Sequence, residues 1–238
     1  MNKTTIVAFL LLASSNAYCS PLSDSIDKLE SDWATVYYRN TPEQQKINYP
    51  RLLQRTVDIE QRFPKAAEPK IWQAILLSAN ATFQSPFSAL ESLDKAKSLL
   101  EKAIEIDPQA LEGSAYVTLG SLYYMVPGWP VSFGDKQAAE KMLKKALEIN
   151  PDGIDSNYFY GDYLLSQDKI AKAEEYFKTA SSAPIRQEQR LADTELQNDA
   201  NIALKKARKR RLSQGKNKFL SLFSSASYNS ANKERKAH

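Results

Sequence analysis

Three segments of the chain carry the same small–large–small pattern and each runs into a proline. They are Ala96-x3-Leu100-x2-Ala103-x4-Pro108, Ala139-x3-Leu143-x2-Ala146-x4-Pro151 and Ala173-x3-Phe177-x2-Ala180-x3-Pro184. Spacing of i, i+4 and i+7 puts the three residues of each segment on one face of a helix. The alanines let a second helix backbone come close while the large residue fills the space between. The proline then ends the helix. A partner helix precedes each segment: Tyr116-x2-Leu119-Gly120-x2-Tyr123 before the second, Asn157-x2-Tyr160-Gly161-x2-Leu164 before the third, and Trp72-x2-Ile75-Leu76-x2-Ala79 more loosely before the first. Gly120 and Gly161 each cost a helix interior about 1 kcal/mol relative to alanine, which a close crossing of helices offsets.

On these residues the chain resembles the tetratricopeptide repeat, a helix pair of about 34 residues with Gly on its first helix and Ala-x3-Phe-x2-Ala on its second. The resemblance implies an all-α superhelix of antiparallel helix pairs over residues 70–184, with three repeats. Residues 20–69 are expected to form extra N-terminal helices, 185–211 a capping helix and 212–238 a disordered basic tail. Only the third repeat has the regular spacing. The first two are longer by about eight and about seven residues between the corresponding pattern positions.

At the N-terminal side, Ser23 is expected to cap a helix carrying Ile26, Leu29, Trp33 and Val36 or Tyr37 on one stripe, and Thr41-Pro42 to start the next. Pro50 should interrupt or kink that second helix. Residues 1–19 read as a signal peptide. A short positive start leads into the apolar run Ile6–Ala13, and small residues allow a cut after Ala17 or Cys19. The expected location is the periplasm. Lipid anchoring through Cys19 is the alternative, with Tyr18 standing where that chemistry wants a small residue.

Residue supply excludes several chemistries. Cys19 is the only cysteine and His238, the last residue, the only histidine, so no intrachain disulfide can be built, and no His/Cys metal site, Ser-His-Asp triad or Cys-His pair is expected. No cofactor and no catalytic residue is expected.

The extra residues of the second repeat fall in the loop Tyr123–Asp135, whose core is Pro127-Gly128-Trp129-Pro130-x2-Phe133-Gly134-Asp135. Its prolines forbid helix, and Asp135 can cap the helix that follows. Exposing Met125, Val126, Trp129, Val131 and Phe133 together would be costly, so the loop is expected to fold back over a surface or a ligand. In a tetratricopeptide register the concave groove is lined by the first helix of each pair. That implies Val117, Ser121, Tyr124, Tyr158, Asp162 and Leu165 face the groove, with Trp129 and Phe133 of the loop above them. Two readings stay open there: a plug of the superhelix, or a lid over a bound small apolar or aromatic ligand. Val, Ser, Tyr and Asp at the inner positions do not suit the acidic tails of chaperones.

Charge is uneven along the chain. From Lys205 to the end there are eleven Lys or Arg against Glu234 alone. The run Lys205, Lys206, Arg208, Lys209, Arg210 and Arg211 suits either a helix C-terminus or an anionic membrane surface, with Phe219–Phe223 beside it. Nucleic acid is not an expected partner for an exported chain. The signal, repeats and loop together resemble small periplasmic helical-repeat proteins that include the T-component accompanying tripartite (TRAP) solute transporters. That resemblance implies a non-enzymatic accessory protein that docks a solute receptor, forms homo-oligomers in some members, or carries a small apolar ligand.

Overall fold

The computed structural model describes residues 20–235, with side chains through residue 214. The signal-like segment 1–19, with Cys19, and residues 236–238 lie outside the described residues. Nine α-helices and no β-strand occur among the described residues.

Helices α1 (Pro21–Arg39) and α2 (Pro42–Arg62) come first. Helix α1 starts from a Ser20 cap, whose side chain accepts from the Ser23 N–H, and not from Ser23 itself. Pro21 at the first helical position, with its fixed φ, sets that earlier start. Thr41 caps α2 as expected, in a reciprocal box with Gln44. Pro50 neither interrupts nor ends α2, which runs through it to Arg62. The proline is solvent-facing, where water can take the carbonyl left without its usual N–H donor.

Three hairpin pairs follow: α3 (Glu68–Ala81) with α4 (Pro86–Ile106), α5 (Ala110–Met125) with α6 (Lys136–Ile149), and α7 (Ile154–Ser166) with α8 (Ile170–Ser182). All nine residues of the repeated triads are at 0 % exposure, from Ala96 to Ala180. The glycines sit at the crossings. A Cβ on Gly120 would lie 2.7 Å from Cγ of Leu143, and one on Gly161 would lie 2.9 Å from the ring of Phe177. The structure thus has the expected all-α, tetratricopeptide-like superhelical architecture.

The two long repeats use their extra residues differently. In the first pair they lengthen α4, which begins at Pro86 under a Ser85 cap. In the second they form the loop between α5 and α6. The chain enters α5 through a left-handed stretch, Leu111 (φ 48), Glu112 (φ 54) and Gly113 (φ 81). The first two cost about 1–3 kcal/mol each as non-glycine residues there.

Helix α9 (Arg190–Arg235) runs beyond the expected boundary. It does not stop at Arg211, and the segment expected as a disordered tail is helical to Arg235. No proline follows Pro184, so nothing in the chain forces an end. As a capping helix should, α9 packs along α8; it also touches α7 and reaches back to α1. Ala200, Leu204 and Ala207 are buried, repeating the i, i+4, i+7 triad of the other helices. The Arg39–Glu195 ion pair at 2.6 Å spans the junction of α1 and α9.

Candidate functional site

Because α9 meets α1, the inner faces of α1, α3, α5, α7 and α9 surround one cavity of about 410 Å³. Val117, Ser121, Tyr158 and Asp162 line it, as the repeat register places them. Tyr124 stands one layer behind: its hydroxyl donates to Oδ2 of Asp162 at 2.6 Å, and its ring meets Tyr163 edge-on at 5.7 Å. Burial, followed by the neighbouring Asp162 carboxylate, drives the Tyr124 phenol well above its ordinary range. Leu165 is absent from the cavity lining and packs instead against the core cluster shared by α6 to α9.

The loop does not roof this cavity. Trp129 is 90 % exposed and Val131 62 %, and neither lines the cavity. Phe133 packs away from the groove, on Tyr123 with ring centroids 5.8 Å apart, and Nζ of Lys97 on α4 lies 5.8 Å from the Phe133 ring centre. Of the apolar residues expected to overlie the groove, only Met125 reaches the cavity, and it sits at an exposed edge. The physical reason is local bracing. Gly134 N–H donates to Pro127 O at 2.9 Å and Asp135 N–H to Tyr123 O at 2.8 Å, closing the loop on its own stem. A Cβ on Gly134 would meet Val126 O at 2.0 Å, so only glycine allows this closure. Asp135 caps α6 through the N–H groups of Gln137 and Ala138.

The larger share of the cavity wall comes from residues outside the predicted set. Helix α1 supplies Glu30, Trp33, Tyr37 and Tyr38, and α3 supplies Trp72. Their rings form a continuous aromatic surface: Trp33 stacks on Tyr37 at 5.3 Å and meets Trp72 edge-on at 5.3 Å. Tyr158 and Phe159 of α7 add a second aromatic pair at 5.2 Å. The α1 stripe carrying Trp33 is legible as core from its spacing. What it faces depends on α9 returning to α1, for which no local pattern exists.

Acidic groups surround a single guanidinium at one end of the cavity. Arg186, in the α8–α9 linker, pairs with Asp193 (2.6 Å), Asp155 (3.0 Å) and Glu112 (3.2 Å). Asp193 is 1 % exposed and also accepts the Arg186 backbone N–H at 2.8 Å. Burial alone would pull the guanidinium down, but hydrogen bonding to Asp193 and the charge of Asp155 outweigh it and hold Arg186 firmly cationic. Asp155 keeps 43 % of its side chain open, and the enclosing walls still push its carboxyl upward against the pull of Arg186. Glu30 is 7 % exposed. Burial pushes its carboxyl up to about 8, only partly opposed by Arg186.

The basic run on α9 divides in two. Arg210 pairs with Asp168 at 2.6 Å and Arg211 with Glu174 at 2.8 Å, which ties α9 to α8 and the α7–α8 turn. Lys205, Lys206, Arg208 and Lys209 are exposed. Among the described residues, no helix is long and apolar enough to cross a membrane.

Comparison with known proteins agrees with this architecture. The tetratricopeptide repeat family model matches residues 87–110 and 131–152, which fall on α4 and on the end of the loop with α6. TTC0263, a tetratricopeptide-repeat protein of Thermus thermophilus, superposes with a TM-score of 0.52 at 17 % identity, covering 77 % of this chain and 90 % of that one. The MamA protein aligns at 20 % identity over 81 % of this chain and 96 % of that one, with a TM-score of 0.38. No curated protein matches the chain by sequence. The chain therefore carries tetratricopeptide-type repeats on an all-α superhelical fold.

Proposed function

We propose that this chain is a non-enzymatic scaffold of the periplasm whose concave inner wall holds a segment of a partner protein. The observation that carries the reading is the return of α9 to α1, which turns five inner helix faces into one aromatic and acidic cavity. A volume of about 410 Å³ takes a few side chains or a short extended peptide and lies in the range of specific ligand sites. The signal-like residues 1–19 support export, and the Pro127–Asp135 loop supports an accessory role beside a solute receptor in a transport system.

A second surface belongs to the same reading. Trp129 stands nearly fully exposed on a loop closed by its own hydrogen bonds. A rigid, presented tryptophan is the residue type that anchors protein interfaces, so the loop is an outer dock and not a lid. Trp129, Val131 and Phe133 stand away from the cavity lining, which favours this dock over a small apolar ligand held beneath the loop.

Photocrosslinking in intact cells tests the scaffold reading, with a crosslinking residue at Thr118 on the cavity wall and, separately, at Trp129. A discrete adduct with a defined periplasmic polypeptide, a solute receptor above all, is expected from both positions. Adducts with lipid or cytoplasmic proteins alone would overturn it.

A further inference from the structure

The cavity is short of positive charge. Four carboxyls, Glu30, Glu112, Asp155 and Asp193, gather about one guanidinium, that of Arg186, and Asp162 and Asp199 extend the acidic wall. Arg186 already serves three of the four. Glu30 has neither hydrogen bond nor ion pair among the described residues, although it is only 7 % exposed and lines the cavity. Two more groups in the same wall are unfinished: the indole N–H donors of Trp33 and Trp72 are buried without an acceptor.

Resting on the scaffold reading, we propose that the cavity recognises an arginine side chain on an extended segment of a partner protein, its guanidinium facing Glu30 and Asp155 and lying against the Trp33–Trp72 aromatic wall. Each requirement of the site is met by that one group. A guanidinium is planar and stacks on aromatic faces, and its fork of donors matches carboxylates. The peptide carbonyls beside it bring hydrogen-bond acceptors to the wall that holds the Trp33 and Trp72 indoles. An anionic segment would meet the same carboxyls as repulsion, and an apolar one would leave Glu30 and both indoles as they stand. The chain's own basic run is not the occupant: it lies on α9, with Arg210 and Arg211 paired outside the cavity.

Proton linkage adds a signature. Glu30 faces Asp27 on its own helix, Arg186 from the linker, Asp155 from α7 and Asp193 from α9. Burial holds its carboxyl up to about 8 in the free protein, and an arriving guanidinium draws it down. Binding therefore releases a proton, and affinity rises with pH up to the free-protein value and then levels off.

The test uses the full chain carrying Trp129→Phe, which leaves Trp33 and Trp72 as the fluorophores. The probes are blocked pentapeptides Ala-Ala-X-Ala-Ala with X as arginine, lysine, citrulline or glutamate, together with arginine amide. Saturable fluorescence change is expected with the arginine peptide, about tenfold weaker with the neutral isostere citrulline, and undetectable with glutamate. Glu30→Gln should weaken the arginine peptide about tenfold with an unchanged helical spectrum and should remove the rise in affinity between neutral pH and pH 8 that Glu30 supplies. Equal binding of citrulline and arginine peptides overturns the charge recognition while leaving a peptide-binding scaffold, and a lysine peptide as tight as arginine overturns the planar fork as the group recognised. Arginine amide binding as tightly as the pentapeptide overturns the protein partner in favour of a small cation. No saturable response from any probe, with Thr118 still crosslinking to a polypeptide in cells, overturns the arginine proposal alone.

Discussion

Trp72 and Trp129 lie in adjacent repeats and belong to the same residue type, but they occupy opposite environments. Trp72 is 4 % exposed and forms part of the cavity wall and core, whereas Trp129 is 90 % exposed at the tip of the loop. The difference teaches where each surface takes its order from. Trp72 is held by neighbours distant in sequence, Trp33 of α1 above all. The loop around Trp129 is held by hydrogen bonds to its own stem and by Phe133 on Tyr123, so it is braced without burying its largest apolar residue. One region uses aromatic surface to close the molecule, the other to present it.

Substituting both tryptophans is the sharpest way to break that contrast. Trp72→Ala should cost about 3–5 kcal/mol of stability, the usual loss for a buried aromatic, read from the denaturant midpoint. A cost near zero would mean that the wall of the cavity is not part of the core. Ionisation inside the wall is the intermediate test. Native Glu30 keeps its proton to about pH 8, whereas an unfolded glutamate loses it near pH ~4.3. Between these values the native state binds more protons than the unfolded chain, so stability should fall as pH rises, by at most about 1.4 kcal/mol per pH unit. The Glu30 contribution to that slope should vanish in Glu30→Gln, and an identical slope in both proteins would remove Glu30 from the buried set. Trp129→Ala should be the smallest effect, within about 0.5 kcal/mol of the native protein. A loss well above that would show the loop packed against something at its tip.

Much of the repeat framework is legible locally. Each small–large–small triad recurs within eight residues, and its face is buried wherever a second helix crosses, so Leu143 under Gly120 and Phe177 under Gly161 can be paired from spacing alone. The inner positions Val117, Ser121, Tyr158 and Asp162 follow from the same register. Three things do not follow. The extra residues of the first repeat carry no turn signal strong enough to say whether they lengthen a helix or a loop, and they lengthen α4. The α9 triad Ala200, Leu204 and Ala207 is present in the chain, but with large apolar residues as the only guide that helix looks sparse. Glu30, Trp72 and Arg186 share a site only because α1 and α9 meet, and a contact between residues such as Arg39 and Glu195 leaves no periodic trace. The loop departs from expectation for a different reason. Its apolar content points to burial of every large side chain, whereas hydrogen bonds within the loop satisfy its backbone and leave Trp129 free to project.

Contact between the first and last helices also governs how this architecture can change. An open solenoid tolerates gain or loss of a hairpin, since each unit leans only on its immediate neighbours. Here an added or deleted hairpin would carry Glu195 past Arg39 and pull apart the two halves of the cavity wall at once. The number of units is therefore tied to the dimensions of the site, and insertions are absorbed most easily by features such as the Trp129 loop that hang outside the circuit.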